Sequence, residues 1–490
     1  MIPISARALG VVFFCSATSQ LACAAGPLAL TECRLESAAA PGGAAARCGR
    51  YLVHENQNDP TSRELRIHVA VVPALRLRAR PDALFILSGG PGQAASDFYL
   101  TVAPAFARIR RDRDIVIVDQ RGTGRSNRLD CALPDEGELA GLDTERLQQA
   151  VRACLRTLPG NPRYYTTSIA VRDLDEIRAA LGYETISLYG VSYGTRVAQH
   201  YMRRYPNRVR SAILDGVVPP DLPLGPDIAL AAQHALDATL ARCAAEAPCS
   251  AAFPDIAERF EVLRKDLRRH PIETWVPDPL TAQPIRTALG EQQLSAAVRL
   301  LSYSDESASI LPLLIHEAQA AARPQALAAH YLMTRRALQE QLAQGMHFSV
   351  VCSEDAPRWA HAHVQQAAIE RAYMGAEFMQ AMRAICGLWP RGPVDEQFGA
   401  PLKSAVPTLL LSGGNDPVTP ASYALRVLPG FAHAKHLVLK AQGHGQIDAG
   451  CVPRVVADFI AAGSVVGLDA ACVQNVAPTP FMLSLTAPSP

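Results

Sequence analysis

The chain has 490 residues, 49% apolar and 19% charged, enough to bury one large domain with a sizeable insertion, or two domains. Its 47 basic residues against 46 acidic ones leave a formal charge of +1, which excludes a net field drawing it to nucleic acid or to an anionic membrane surface.

The first 25 residues read as a secretory signal. Arg7 precedes an apolar stretch from Ala8 to Phe14, and Ala22-Cys23-Ala24 supplies a small-residue cleavage site. Gln20-Leu21-Ala22-Cys23 also resembles a lipid-attachment site, although Gln is a poor match there. No later stretch has the apolar length of a bilayer span. Of the 12 cysteines, Cys15 and Cys23 lie in the signal. The others, Cys33, Cys48, Cys131, Cys154, Cys243, Cys249, Cys352, Cys386, Cys451 and Cys472, fall as sequential neighbours closing short loops. That pattern suits disulfides in an exported, periplasmic or secreted protein, with connectivity left open. CxxC and CxxH clusters are absent, so no metal site is expected. Nothing in the sequence speaks to oligomeric state.

Between residues 26 and 218, short apolar runs alternate with helical patterns, the signature of a parallel sheet built from crossover units. Ala83–Leu87, Ile115–Val118, Ile186–Tyr189 and Ala212–Leu214 are the strands expected there, and a helix follows from about Thr195 to Arg204. From 219 to 404 the composition turns to Ala, Leu, Gln and Arg at helical spacing, as in Asp227–Cys243 and Glu317–Leu342, and strand-like runs become scarce. This predicts a helical cap. Strands resume at Thr408–Leu411 and His436–Leu439, and a helix near Val452–Ala462 closes the core at about 475. Residues 476–490 are Pro-rich and expected to be loose.

Gly190-Val191-Ser192-Tyr193-Gly194 matches G-x-S-x-G, directly after one of these strands and directly before a helix. A turn that tight strains the serine backbone, exposes its hydroxyl at a helix N-terminus and requires glycines on either side. Serine needs a base. Among 13 histidines, His444 stands out because Gly443 and Gly445 flank it just past a strand, whereas His234 and His330 sit in helical patterns. The base in turn needs a carboxylate. Asp416, after Leu411-Ser412-Gly413-Gly414-Asn415, gives the chain order Ser, Asp, His; Asp215 is the rival, since it also ends a strand. Ser88-Gly89-Gly90-Pro91-Gly92-Gln93 supplies unobstructed backbone N–H groups, so Gly90 and Tyr193 are the expected oxyanion donors. A phosphate loop would want a Lys-Ser or Lys-Thr after the glycines, and none is there. The expected fold is therefore an α/β-hydrolase fold, a mostly parallel sheet flanked by helices with the cap inserted before its last strands.

The turn Gly89–Gly92, the run Asp119-Gln120-Arg121-Gly122-Thr123-Gly124-Arg125-Ser126, Gly190–Gly194 with Thr195, and Leu214-Asp215-Gly216 resemble the prolyl iminopeptidase and tripeptidyl aminopeptidase group of α/β-hydrolases. The resemblance runs from about Cys33 to Cys472 and is nearest to the exported tripeptidyl-aminopeptidase-like branch. It departs from the iminopeptidase pattern at Ser88, where a His often precedes the glycines. It implies an enzyme without cofactor that removes residues or short pieces from peptides with a free N-terminus, through an acyl-enzyme on Ser192. It also implies an acidic anchor for the ammonium in the cap, for which Glu354, with Asp355 second, is the expected choice. An esterase or lipase would use the same triad, and a non-catalytic binding protein could share the fold. Dependence on a free N-terminus separates the peptidase from the esterase; labelling of Ser192 by a fluorophosphonate separates both from a binder.

Overall fold

The computed structural model describes residues 28–37, 40–131, 143–362 and 365–486. The expected signal segment lies outside them. Among the described residues the strands in chain order are β1 (Thr31–Ser37), β2 (Ala40–His54), β3 (Glu64–Val72), β4 (Leu84–Leu87), β5 (Ile115–Val118), β6 (Ile186–Val191), β7 (Val209–Asp215), β8 (Ile272–Pro277), β9 (Pro284–Leu289), β10 (Thr408–Gly413) and β11 (Ala434–Leu439). Nine of them form the main sheet, in the spatial order β1-β2-β3-β5-β4-β6-β7-β10-β11. The six strands from β5 to β11 run parallel, and β1–β3 add an antiparallel flap that the apolar runs did not announce.

Ile115-Val116-Ile117-Val118 and Leu84-Phe85-Ile86-Leu87 are wholly buried, as strands covered on both faces must be. Successive side chains point to opposite sides, so Phe85, Leu87, Val116 and Val118 join one core. Leu84, Ile86, Ile115 and Ile117 join the other. Helix Tyr193–Arg204 lies in the β6 to β7 crossover; the chain leaves the sheet after β7 and returns at β10.

The excursion is mostly helical, with its own core around Leu236, Phe260, Ala297, Leu314 and Leu327. Two features differ from expectation. The hairpin of β8 and β9 interrupts the helices, with alternating burial along β8 that a helical reading obscures. The helix expected over Glu317–Leu342 is two, Leu311–Gln319 and Gln325–Gln341. Pro324 lies at the break, because proline lacks the N–H and crowds the preceding turn. Within the segment expected to be loose, the described residues Thr479 and Phe481 make contacts with the cap. Phe481 is buried in the cap cluster beneath Arg242, its ring centre 3.9 Å from the guanidinium carbon, and Thr479 N–H donates to Asp305.

The ten cysteines from Cys33 to Cys472 pair as sequential neighbours: Cys33–Cys48, Cys131–Cys154, Cys243–Cys249, Cys352–Cys386 and Cys451–Cys472. No helix among the described residues is long and apolar enough to cross a membrane.

Candidate active site

Ser192 sits between the end of β6 and the first turn of helix Tyr193–Arg204, with φ +56° and ψ −126°. A non-glycine residue held there costs on the order of 1–3 kcal/mol, so the surroundings must enforce it. They do. A Cβ on Gly190 would lie 2.4 Å from the Gly194 carbonyl oxygen, and one on Gly194 would lie 2.1 Å from that of Leu87. Ser192 N–H donates to the Asp215 carbonyl at 2.8 Å, and the Ser192 carbonyl accepts from Thr195 N–H and Oγ1 at 2.9 and 2.7 Å.

His444 and Asp416 come from the loops after β11 and β10. His444 Nδ1 is 2.8 Å from Asp416 Oδ2. The other carboxylate oxygen accepts the N–H groups of Val418 and Thr419, both at 2.8 Å, and Thr419 Oγ1 donates to Oδ2 at 2.8 Å while lying 3.1 Å from His444 Nδ1. Burial opposes charge on Asp416, but the His444 ring and the loop N–H groups outweigh it and hold the carboxyl below its ordinary range. On His444 burial favours the neutral ring, and Asp416 overrides it, with Asp215 adding to the effect, so the pKa is raised. The pair is thus set to take up a proton on the ring's other nitrogen.

Ser192 and His444 line one cavity of about 490 Å³ under the cap, together with Gly89, Gly90 and Gln93. Gly89 N–H already points at Gln93 Oε1, 3.3 Å away. Tyr193 is the first residue of its helix, where backbone N–H groups have no intrahelical partner. Its side chain turns away from the cavity, its hydroxyl 2.6 Å from Thr167 Oγ1 and accepting from Gln120 Nε2 at 3.1 Å.

The expected ammonium anchor is not in the cavity wall. Asp355 is fully buried, its two carboxylate oxygens accepting from Arg196 Nη1 at 2.9 and 3.1 Å, and it also accepts Leu224 N–H at 2.8 Å. Glu354 is buried too, accepting Thr167 N–H at 2.6 Å and Thr167 Oγ1 at 3.0 Å. Burial raises its pKa from 4.5 to about 8, although Arg196 pulls the other way, so it is neutral at pH 7. Asp355 is thus engaged by an internal cation and Glu354 by Thr167, and neither lines the cavity. The acids on the wall are instead Asp227, Glu306 and Asp448, and Arg299 is there as well.

Sequence reasoning missed two groups. Thr419 braces Asp416 as described, and its position three residues after an Asp that follows a strand was an available signal. Tyr303, from the cap, packs its ring edge-on against His444 with centroids 5.4 Å apart, and its carbonyl accepts the His444 N–H at 2.6 Å. A backbone acceptor leaves no sequence mark. Among the described residues, no three His, Cys, Asp or Glu side chains gather as metal ligands.

Residues 82–449, spanning Ser192, Asp416, His444 and the whole cap, match a family described as the alpha/beta hydrolase fold. The chain belongs to the α/β-hydrolase family. This hydrolase is 32% identical to the putative hydrolase YuaR of Escherichia coli over 142 residues, 28% of each chain. It is 31% identical to the serine protease Hip1 of Mycobacterium tuberculosis over 218 residues, 40% of each chain. It is 30% identical to the tripeptidyl aminopeptidase of Streptomyces lividans over 191 residues, 36% of each. The matched region thus spans well under half the length of these relatives. A serine hydrolase from Cycloclasticus zankles is similar in fold over 85% of this chain and 96% of its own, at a TM-score of 0.38 and 12% identity.

Proposed function

We propose that this hydrolase is a serine exopeptidase that releases N-terminal residues or short peptides through an acyl-enzyme on Ser192. The observation that carries the reading is the His444–Asp416 pair, joined at 2.8 Å in the wall of the cavity that also holds the strained Ser192. Ser192 Oγ attacks the scissile carbonyl while His444 accepts its proton, and Asp416 stabilises the imidazolium. The backbone N–H groups of Gly90 and Tyr193 receive the oxyanion. His444 then passes its proton to the leaving amine and afterwards takes one from the water that frees Ser192.

Serine protease and tripeptidyl aminopeptidase relatives favour a peptide over a simple ester as substrate. Three carboxylates against Arg299 on the cavity wall favour a ligand with a cationic end, as a free peptide N-terminus is. The paired cysteines favour action outside the cytoplasm, after loss of residues 1–25.

The test sets peptidyl amides with free and with acetylated N-termini beside simple acyl esters, using wild type and Ser192→Ala. The reading expects turnover of the free amides, loss of most of it on acetylation, and none by the variant. Equal rates on free and blocked amides would remove the exopeptidase assignment. Turnover by Ser192→Ala equal to wild type would remove the mechanism.

A further inference from the structure

One buried acid beside the site has no part in that cycle. Asp215, at the end of β7, is wholly buried, yet it touches both sides of the reaction. Its backbone carbonyl accepts the N–H of Ser192 at 2.8 Å. Its carboxylate oxygens accept the N–H of Gln446 at 2.9 and 2.8 Å, and one also accepts the hydroxyl of Tyr189 at 2.8 Å. Gln446 lies two residues past His444, and its side-chain amide donates to the Gly443 carbonyl at 2.8 Å, closing the loop around the ring. Next to Asp215, Gly216 leaves the room the ring needs: a Cβ there would stand 3.2 Å from His444 Cε1.

We propose that Asp215 is a positioning residue, which ties the loop bearing His444 to the strand bearing Ser192 and sets a second negative charge behind the imidazolium. The partners of its carboxylate are a neutral amide and a neutral hydroxyl, so a charge there is costly in the resting protein. Desolvation pushes its pKa up to about 6, which still leaves it ionised at neutral pH. The cost is relieved when His444 becomes positive, so the charge favours the transition state over the ground state. An asparagine would satisfy the backbone contact alone without this benefit.

The groups facing His444 are Asp416 at Nδ1, Asp215 behind it, Arg299 with the opposing sign, Thr419 and the Tyr303 ring. Those facing Asp215 are Tyr189, the Gln446 amide, His444 and Asp416. Above pH 6 the Asp215 charge raises the basicity of His444, so its removal moves the acid limb of activity to lower pH.

The proposal rests on Ser192 and His444 as nucleophile and base, and its test follows them without reference to substrate class. The rate of fluorophosphonate labelling at Ser192, with kcat and KM on a peptidyl amide, is measured from about pH 5 to 9 for wild type, Asp215→Asn and Tyr189→Phe. Asp215→Asn is expected to lower kcat roughly ten- to a hundredfold with KM within about threefold, and to shift the acid limb of labelling down by about one pH unit. Tyr189→Phe, which removes a donor that keeps Asp215 ionised, shifts the limb the same way by less. A folded Asp215→Asn whose limb coincides with wild type overturns the proposal. If Asp215→Asn is not recovered folded, a coincident limb in Tyr189→Phe does so. A wild type that the probe does not label overturns the underlying reading instead.

Discussion

Glu354 makes a prediction that turns on the sign of a titration. In the unfolded chain its carboxyl ionises near 4.5; in the folded protein burial delays this to about 8. Between those values the unfolded state has released a proton that the folded state retains, so stability falls as pH rises, by about 1.4 kcal/mol per pH unit. The contribution is therefore most favourable below pH 4.5 and is worn away up to about pH 8. Glu354→Gln keeps an oxygen for Thr167 N–H and an amide group beside Thr167 Oγ1, and it cannot titrate. Relative to the variant, wild type should lose roughly 3 kcal/mol between about pH 5.5 and 8. Urea unfolding followed at half-unit intervals measures the difference, and KM for a free peptidyl amide should stay within about twofold. Parallel stability curves would refute the buried, neutral Glu354, and a tenfold rise in KM would return it to the role of ammonium anchor.

Asp416→Asn, which preserves shape but removes the charge behind His444, should lower kcat by about 10³- to 10⁴-fold with an unchanged circular dichroism spectrum; a loss under tenfold would shift the acid role elsewhere. Thr419→Ala should lower kcat by roughly five- to fiftyfold and Thr419→Ser should restore most of it, because only the hydroxyl reaches Asp416 Oδ2 and His444 Nδ1. Replacing Cys352 and Cys386 together by Ala opens a bridge across 34 residues and should lower stability by about 2–4 kcal/mol in urea; an unchanged midpoint would mean that the bridge constrains nothing in the unfolded chain.

That Ser192, Asp416 and His444 come together was legible because each stands in a short loop straight after an apolar strand, and the fold delivers those loops to one edge of the sheet. The glycines around Ser192 were legible for the same local reason. The surroundings of Glu354 and Asp355 were not legible, because an acidic pair at a helix end does not disclose its partner: Arg196, which pairs with Asp355, belongs to a helix of the core 159 residues away. Cap geometry escaped for a related reason. The β8–β9 hairpin is short and half exposed, so its period is weak, while Pro324 did mark the helix break and the long Ala-rich pattern around it masked the signal.

The clasp between the cap and His444 limits how the enzyme can open. Tyr303 holds the base through its carbonyl, Ala343 N–H donates to Gly92 O, and His347 Nδ1 is 3.1 Å from Pro91 O, so the roof is fastened to the floor at both the base and the glycine turn. Lifting it would dismantle the machinery it covers. A second pocket adjoins the cavity, sharing Glu306, Gln442 and Asp448 with it and reaching Thr479. Excising the roof to admit bulkier molecules would therefore cost turnover as well as selectivity.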